Sequence, residues 1–95
     1  MPTPMIPLVH LNGTSGENLL RENRAAARAI ETALEALIAG GPNARDYYVI
    51  DAHAFPQARD EHHARLTALH SIKMDLDIIG MKIADQIADR DRRKS

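Results

Sequence analysis

The stretch DAHAFPQARDEHHARLTALHSIKMDLDIIGMKIADQIADRDR, residues 51–92, decides the fold. Phe55, His62, Leu69, Leu76 and Ile83 recur every seven positions. Ala58, Ile72 and Ile79 fall three places after members of that series, and Leu66 and Ile87 fall four places after. Such spacing is the apolar stripe of a long amphipathic helix. Pro56 sits early, where first-turn N–H groups have no helical partner to lose, and Asp51 is the expected N-cap. The helix is expected over 52–92. At about 1.5 Å per residue it is a rod of roughly 60 Å, longer than any globule of 95 residues can enclose.

Working back from that rod, Thr14 is the expected start of a first helix, with Glu17 completing a capping box. Leu20, Ala27 and Leu34 repeat every seven, as do Asn23, Ile30 and Leu37. Gly40-Gly41-Pro42 ends it, because glycine accepts a left-handed cap and proline cannot continue a helix. Asn23 lies on the apolar face, either as a register-fixing polar contact or as a ligand contact. Residues 1–13 form an extended arm: Pro2, Pro4 and Pro7 favour extended geometry, and Asn12-Gly13 is a turn signal. The arm either packs on its own helices or reaches a neighbouring subunit as a strand. Tyr47 to Ile50 is a short β-prone run within the connector, residues 40–51.

The expected fold is therefore all-α. It is a two-helix antiparallel hairpin (helix 14–39, connector 40–51, long helix 52–92) with an extended N-terminal arm and a short β pairing, assembled into an oligomeric bundle. The core is shallow, since 15 of the apolar residues are alanine and the aromatics are Tyr47, Tyr48 and Phe55 alone. Without cysteine, disulfides and thiolate metal sites are excluded, which leaves association as the stabilising device for so small a domain. Taking the spans as read, helix 2 outreaches helix 1 by about thirteen residues, an overhang that includes Ile79, Gly80, Met81, Ile83 and Ile87. The expected interface is Leu69, Leu76, Ile79, Ile83 and Ile87, much of it on that overhang.

A net charge of −1 with interspersed signs gives no electrostatic basis for wrapping duplex nucleic acid. No apolar run approaches a membrane span, no secretion signal is evident, and the expected setting is cytoplasmic. The five histidines lack metal-site spacing: His62 and His63 diverge by about 100° on a helix, and His63 and His70 are a full seven apart. No His-Glu-x-x-His, Gly-x-Ser-x-Gly or phosphate-loop pattern occurs, so neither a metal, a cofactor nor catalysis is expected. One cluster has the composition of a small-molecule site: Arg45, Tyr47, Tyr48, His53 and Phe55 fall together at the start of helix 2. Aromatic faces suit base stacking, Arg suits phosphate, and free N–H groups at a helix start attract anions. The expected ligand-binding residues are Arg45, Tyr47, Tyr48, His53 and His10. The same aromatics can equally serve as a plug for the end of the hairpin.

His10-Leu-Asn-Gly-Thr-Ser15, the Ala/Leu-rich helix, Arg45-Asp-Tyr-Tyr48 and the second amphipathic helix together resemble a family of small phage and prophage proteins, mostly of unassigned function. The resemblance covers nearly the whole chain and carries over no catalytic residue. It implies a phage setting within the host bacterial cytosol. In size and architecture the chain is also similar to phage anti-defence sponges, which oligomerise and sequester nucleotide-derived immune signals, although it lacks the motifs of the anti-CBASS and anti-Thoeris hairpin sponges. The expected function is thus a non-enzymatic oligomer that sequesters a cyclic-nucleotide or cyclic ADP-ribose type signal. Its alternative is a structural or protein-interaction module, a phage adaptor or an inhibitor of a host protein.

Overall fold

The computed structural model describes residues 3–94 and contains two long α-helices joined by a short 3-10 turn. Helix α1 is Gly16–Ala39 and helix α2 is Ala54–Lys94. They pack antiparallel into a hairpin measuring 67 × 23 × 20 Å. Its radius of gyration is 19.5 Å, against about 12 Å for a compact domain of this length. Among the described residues there is no strand, and no helix is long and apolar enough to cross a membrane.

Helix boundaries follow local chemistry. Ser15, one place after the expected Thr14, caps α1: its hydroxyl accepts the Asn18 N–H at 3.1 Å. Gly40 ends α1 at φ −99°, ψ 24°, with its N–H on the Ala36 carbonyl at 2.9 Å. The expected left-handed glycine cap is not used, since Gly40 keeps a negative φ. Asp51 lies three residues before α2 and is not its N-cap: its carboxylate accepts the His53 N–H at 2.7 Å in the turn that precedes the helix. Pro56 then lies within the first turn, where it displaces no hydrogen bond.

Two glycines fix the register of the hairpin. A Cβ on Gly16 would lie 2.9 Å from Ile87 Cγ1, and one on Gly80 would collide with the Asn23 amide oxygen. Gly16 therefore faces Ile87, and Asn23 faces Gly80. Asn23 is thereby placed in the seam between the helices. This register corrects the expected overhang. Ile79, Ile83 and Ile87 lie opposite the first turns of α1 instead of projecting beyond it. The five residues expected at a subunit interface, Leu69, Leu76, Ile79, Ile83 and Ile87, are all buried or half-buried within the single chain. Ile83 is 2% exposed and is the one large side chain that the described hairpin fully buries.

The arm packs on its own chain. Gln86 accepts the Val9 N–H through Oε1 at 2.8 Å and donates from Nε2 to the Pro7 carbonyl at 2.9 Å. Val9 Cγ1 also approaches the Gly16 backbone beside Ile87. Arg90 closes this end through Glu17 at 3.0 Å. At mid-hairpin, Lys73 meets Asp77 at 2.8 Å and Glu31 at 3.8 Å. The hydrogen bond to Asp77, with the charges of Asp77 and Glu31, holds the Lys73 ammonium above its ordinary value of 10.5.

Candidate functional site at the elbow

The connector is built from local turns. Asn43 accepts the Arg45 N–H at 3.1 Å through its side chain and so starts the 3-10 turn Ala44–Asp46. The Ala44 carbonyl then accepts from both Tyr47 and Tyr48, at 3.1 and 3.0 Å, and the Tyr47 carbonyl accepts from Ile50 at 2.9 Å. Residues 47–50 consequently form turns and not the expected β pairing: carbonyls satisfied locally are not offered to a partner strand.

These turns send the two tyrosines in different directions. Tyr47 is half-buried, its ring 6.4 Å from Phe55 at a tilt of 49°, a favourable aromatic arrangement. The Arg59 guanidinium stands over the other aromatic of the pair, 6.0 Å from the Phe55 centroid. Tyr48, Val49 and Ile50 are exposed at 71, 72 and 66%. Arg45 and His53 are exposed as well.

Beside Tyr47 lies an open cleft of about 290 Å³, lined by Gly40, Pro42, Tyr47, Ala58, Glu61, His62 and Arg65. Gly41 lies beside the His62 ring, where a Cβ would make an ordinary contact 3.4 Å from Nε2. Ala58, Glu61, His62 and Arg65 share one face of α2 by their three- and four-residue spacing. The cleft offers an aromatic face, a guanidinium, an imidazole and a carboxylate.

Of the residues expected to bind a ligand, Tyr47 alone lines this cleft. Arg45, Tyr48 and His53 belong to the same elbow but project elsewhere. His10 is at the opposite end of the rod: its neighbour Val9 is tied to Gln86, about 40 Å along α2 from the turns that Tyr47 contacts. Within one chain His10 cannot join that cluster. Arg65 and Glu61 lie outside the contiguous aromatic cluster; the helical spacing from Ala58 is the signal that points to them. Among the described residues no group of three or more His, Asp or Glu is arranged to hold a metal ion.

Comparison with known proteins leaves the reading to the geometry: no protein-family model, no curated protein and no solved structure matches the chain.

Proposed function

We propose that this chain is a non-enzymatic, self-associating interaction module, a helical hairpin that completes its core with other copies of itself. One observation carries the reading: Ile83 is the sole large apolar side chain fully buried in the described hairpin, while ten others are close to half exposed or more. The surface is correspondingly large. A compact monomer of this mass has about 5,400 Å² of accessible surface, and this chain has 7125 Å². Light scattering at tens of micromolar is expected to give a multiple of the 10.5 kDa chain mass. A mass of one chain would overturn the proposal.

A narrower reading, sequestration of a nucleotide-derived signal in a phage anti-defence role, is favoured by the elbow cleft. There Tyr47 offers a stacking face and Arg65 a phosphate partner. Thermal melts against cyclic di- and trinucleotides and cyclic ADP-ribose isomers test it. A specific ligand at a hundredfold excess over its Kd stabilises the native state by about 2.7 kcal/mol. Arg65→Ala is expected to abolish that gain, and a flat panel removes the narrower reading while leaving the broader one intact.

A further inference from the structure

Two neighbouring hollows run together along one side of the hairpin, sharing Glu31 and Lys73. On α1 their rim and floor read Arg24, Ala27, Arg28, Glu31, Leu34, Glu35 and Ile38, a single helix face by spacing. The order of charge along that face matters. Its first half carries Arg24 and Arg28, its second half Glu31 and Glu35. On α2 the same groove presents Leu66, His70, Lys73 and Asp77. Met81, four residues further along that face, is 55% exposed.

We infer that this groove is the homodimer face, occupied by a second copy of the chain running antiparallel across a two-fold axis. The inference rests on the self-association proposed above and specifies its surface and symmetry. A two-fold interface is isologous, so the patch must complement its own reverse. This one does. Continuing the register of Gly16 with Ile87 and Asn23 with Gly80 brings Ile30 opposite Lys73. An axis crossing both helices at right angles, between Ala29 and Ile30 and between Lys73 and Met74, then sets Arg24 against the partner's Glu35 and Arg28 against the partner's Glu31. The same axis sets Leu66 against the partner's Met81. A parallel pairing in register would place each charge against its own kind.

A second two-fold, along the rod, would lay α1 over the partner's α2 and use Lys73 and Asp77 as the opposing charges. Those two are already paired with each other. By contrast, Arg24, Arg28 and Glu35 have no ion-pair partner among the described residues of the chain, which favours α1 against α1. The area also fits. A standard interface removes roughly 800 Å² per partner, within the chain's excess of about 1,700 Å² over a compact monomer of its mass.

Charge exchange tests the face and the axis together. The variant R24E/R28E makes the α1 face wholly acidic, and E31R/E35R makes it wholly basic. In sedimentation at low salt, wild type is expected at twice 10.5 kDa and each variant at the single-chain mass. An equimolar mixture of the two variants is expected to return to twice that mass, because every opposed pair is then of unlike sign. If R24E/R28E dimerises like wild type, this face is wrong while self-association stands. If both variants are monomeric and the mixture stays so, the α1-to-α1 axis is wrong, since α1 against the partner's α2 gives no rescue. A monomeric wild type overturns self-association itself. Circular dichroism monitors folding. Should the double exchanges unwind α1, the single exchanges R24E and E35R, at exposed and unpaired positions, carry the same test.

Discussion

The two ends of the hairpin are held in opposite ways. At the arm end, contacts join residues far apart in sequence: Gln86 holds the backbone at Pro7 and Val9, Arg90 reaches Glu17, and Ile87 packs on Gly16. At the elbow, the backbone hydrogen bonds of the connector span four residues or fewer. Long-range contacts form only when the hairpin closes, so they report on its global stability. Local turns can rearrange without opening it. The arm end ties the two ends of the chain together, whereas the elbow, with its exposed Tyr48, Val49 and Ile50 and its cleft, is held by local turns alone.

The largest effect that would break this contrast is expected at Ile83. Ile83→Ala should cost about 2–5 kcal/mol, a large part of the stability of a small domain. Ile83→Asp should prevent folding, since a charge there has no partner. Urea titration followed by circular dichroism checks both, and a small change at Ile83 would mean that the core lies elsewhere. Next comes the arm. Gln86→Leu removes two backbone contacts at a cost of about 1–3 kcal/mol, and hydrogen exchange at the Val9 amide should accelerate while the centre of α1 stays protected. Equal acceleration throughout would show that the arm and the hairpin are one cooperative unit.

The elbow sharpens the comparison. Tyr47→Ala removes the contact with Phe55 and is expected to lower Tm by several degrees, at roughly 4–8 °C per kcal/mol for a domain of this size. Tyr48→Ala, at an exposed position, should stay within about 0.5 kcal/mol of wild type. Equal shifts would mean that both tyrosines plug the hairpin. The smallest effect belongs to mid-hairpin. Because the folded-state pKa of Lys73 is raised, its ion pairs stabilise fully below the ordinary lysine value of 10.5 and fade as pH rises through the folded value. Lys73→Met is therefore expected to remove a slight loss of stability in that alkaline range. A wild-type profile that improved on passing through it would contradict the direction.

Both helices are legible in the sequence to within two residues, because heptad spacing and the glycine–proline stop are local signals, although Ser15 and not Thr14 is the cap of α1. The register is not. Span lengths alone suggest an overhang, whereas the connector lies along the first turns of α2, with Gly41 beside His62 and Tyr47 on Phe55. It thereby takes up the length that had been assigned to an overhang of Ile79, Ile83 and Ile87. The candidate site was half legible for a related reason. Aromatic clustering points to the elbow, but which of two adjacent tyrosines turns inward is a matter of tertiary contact, Tyr47 meeting Phe55 while Tyr48 is exposed. Composition carries no such information. The chemistry of His10 suits the elbow cluster, and only the fold separates the two.

The two close approaches at Gly16 and Gly80 also constrain how such a chain can vary in length. Gly16 and Asn23 are seven residues apart, as are Gly80 and Ile87, so each helix acts as a ruler graduated against the other. Deleting one residue between the marks of either helix turns the remainder by about 100° and brings a side chain to where only a hydrogen fits. A compensating deletion in the other helix would be needed in the same interval. No such ruler runs through residues 40–53, where added or lost residues alter a turn without disturbing the match. Length variation in chains built on this plan should accumulate at the elbow, where a new loop would also reshape the cleft beside Tyr47.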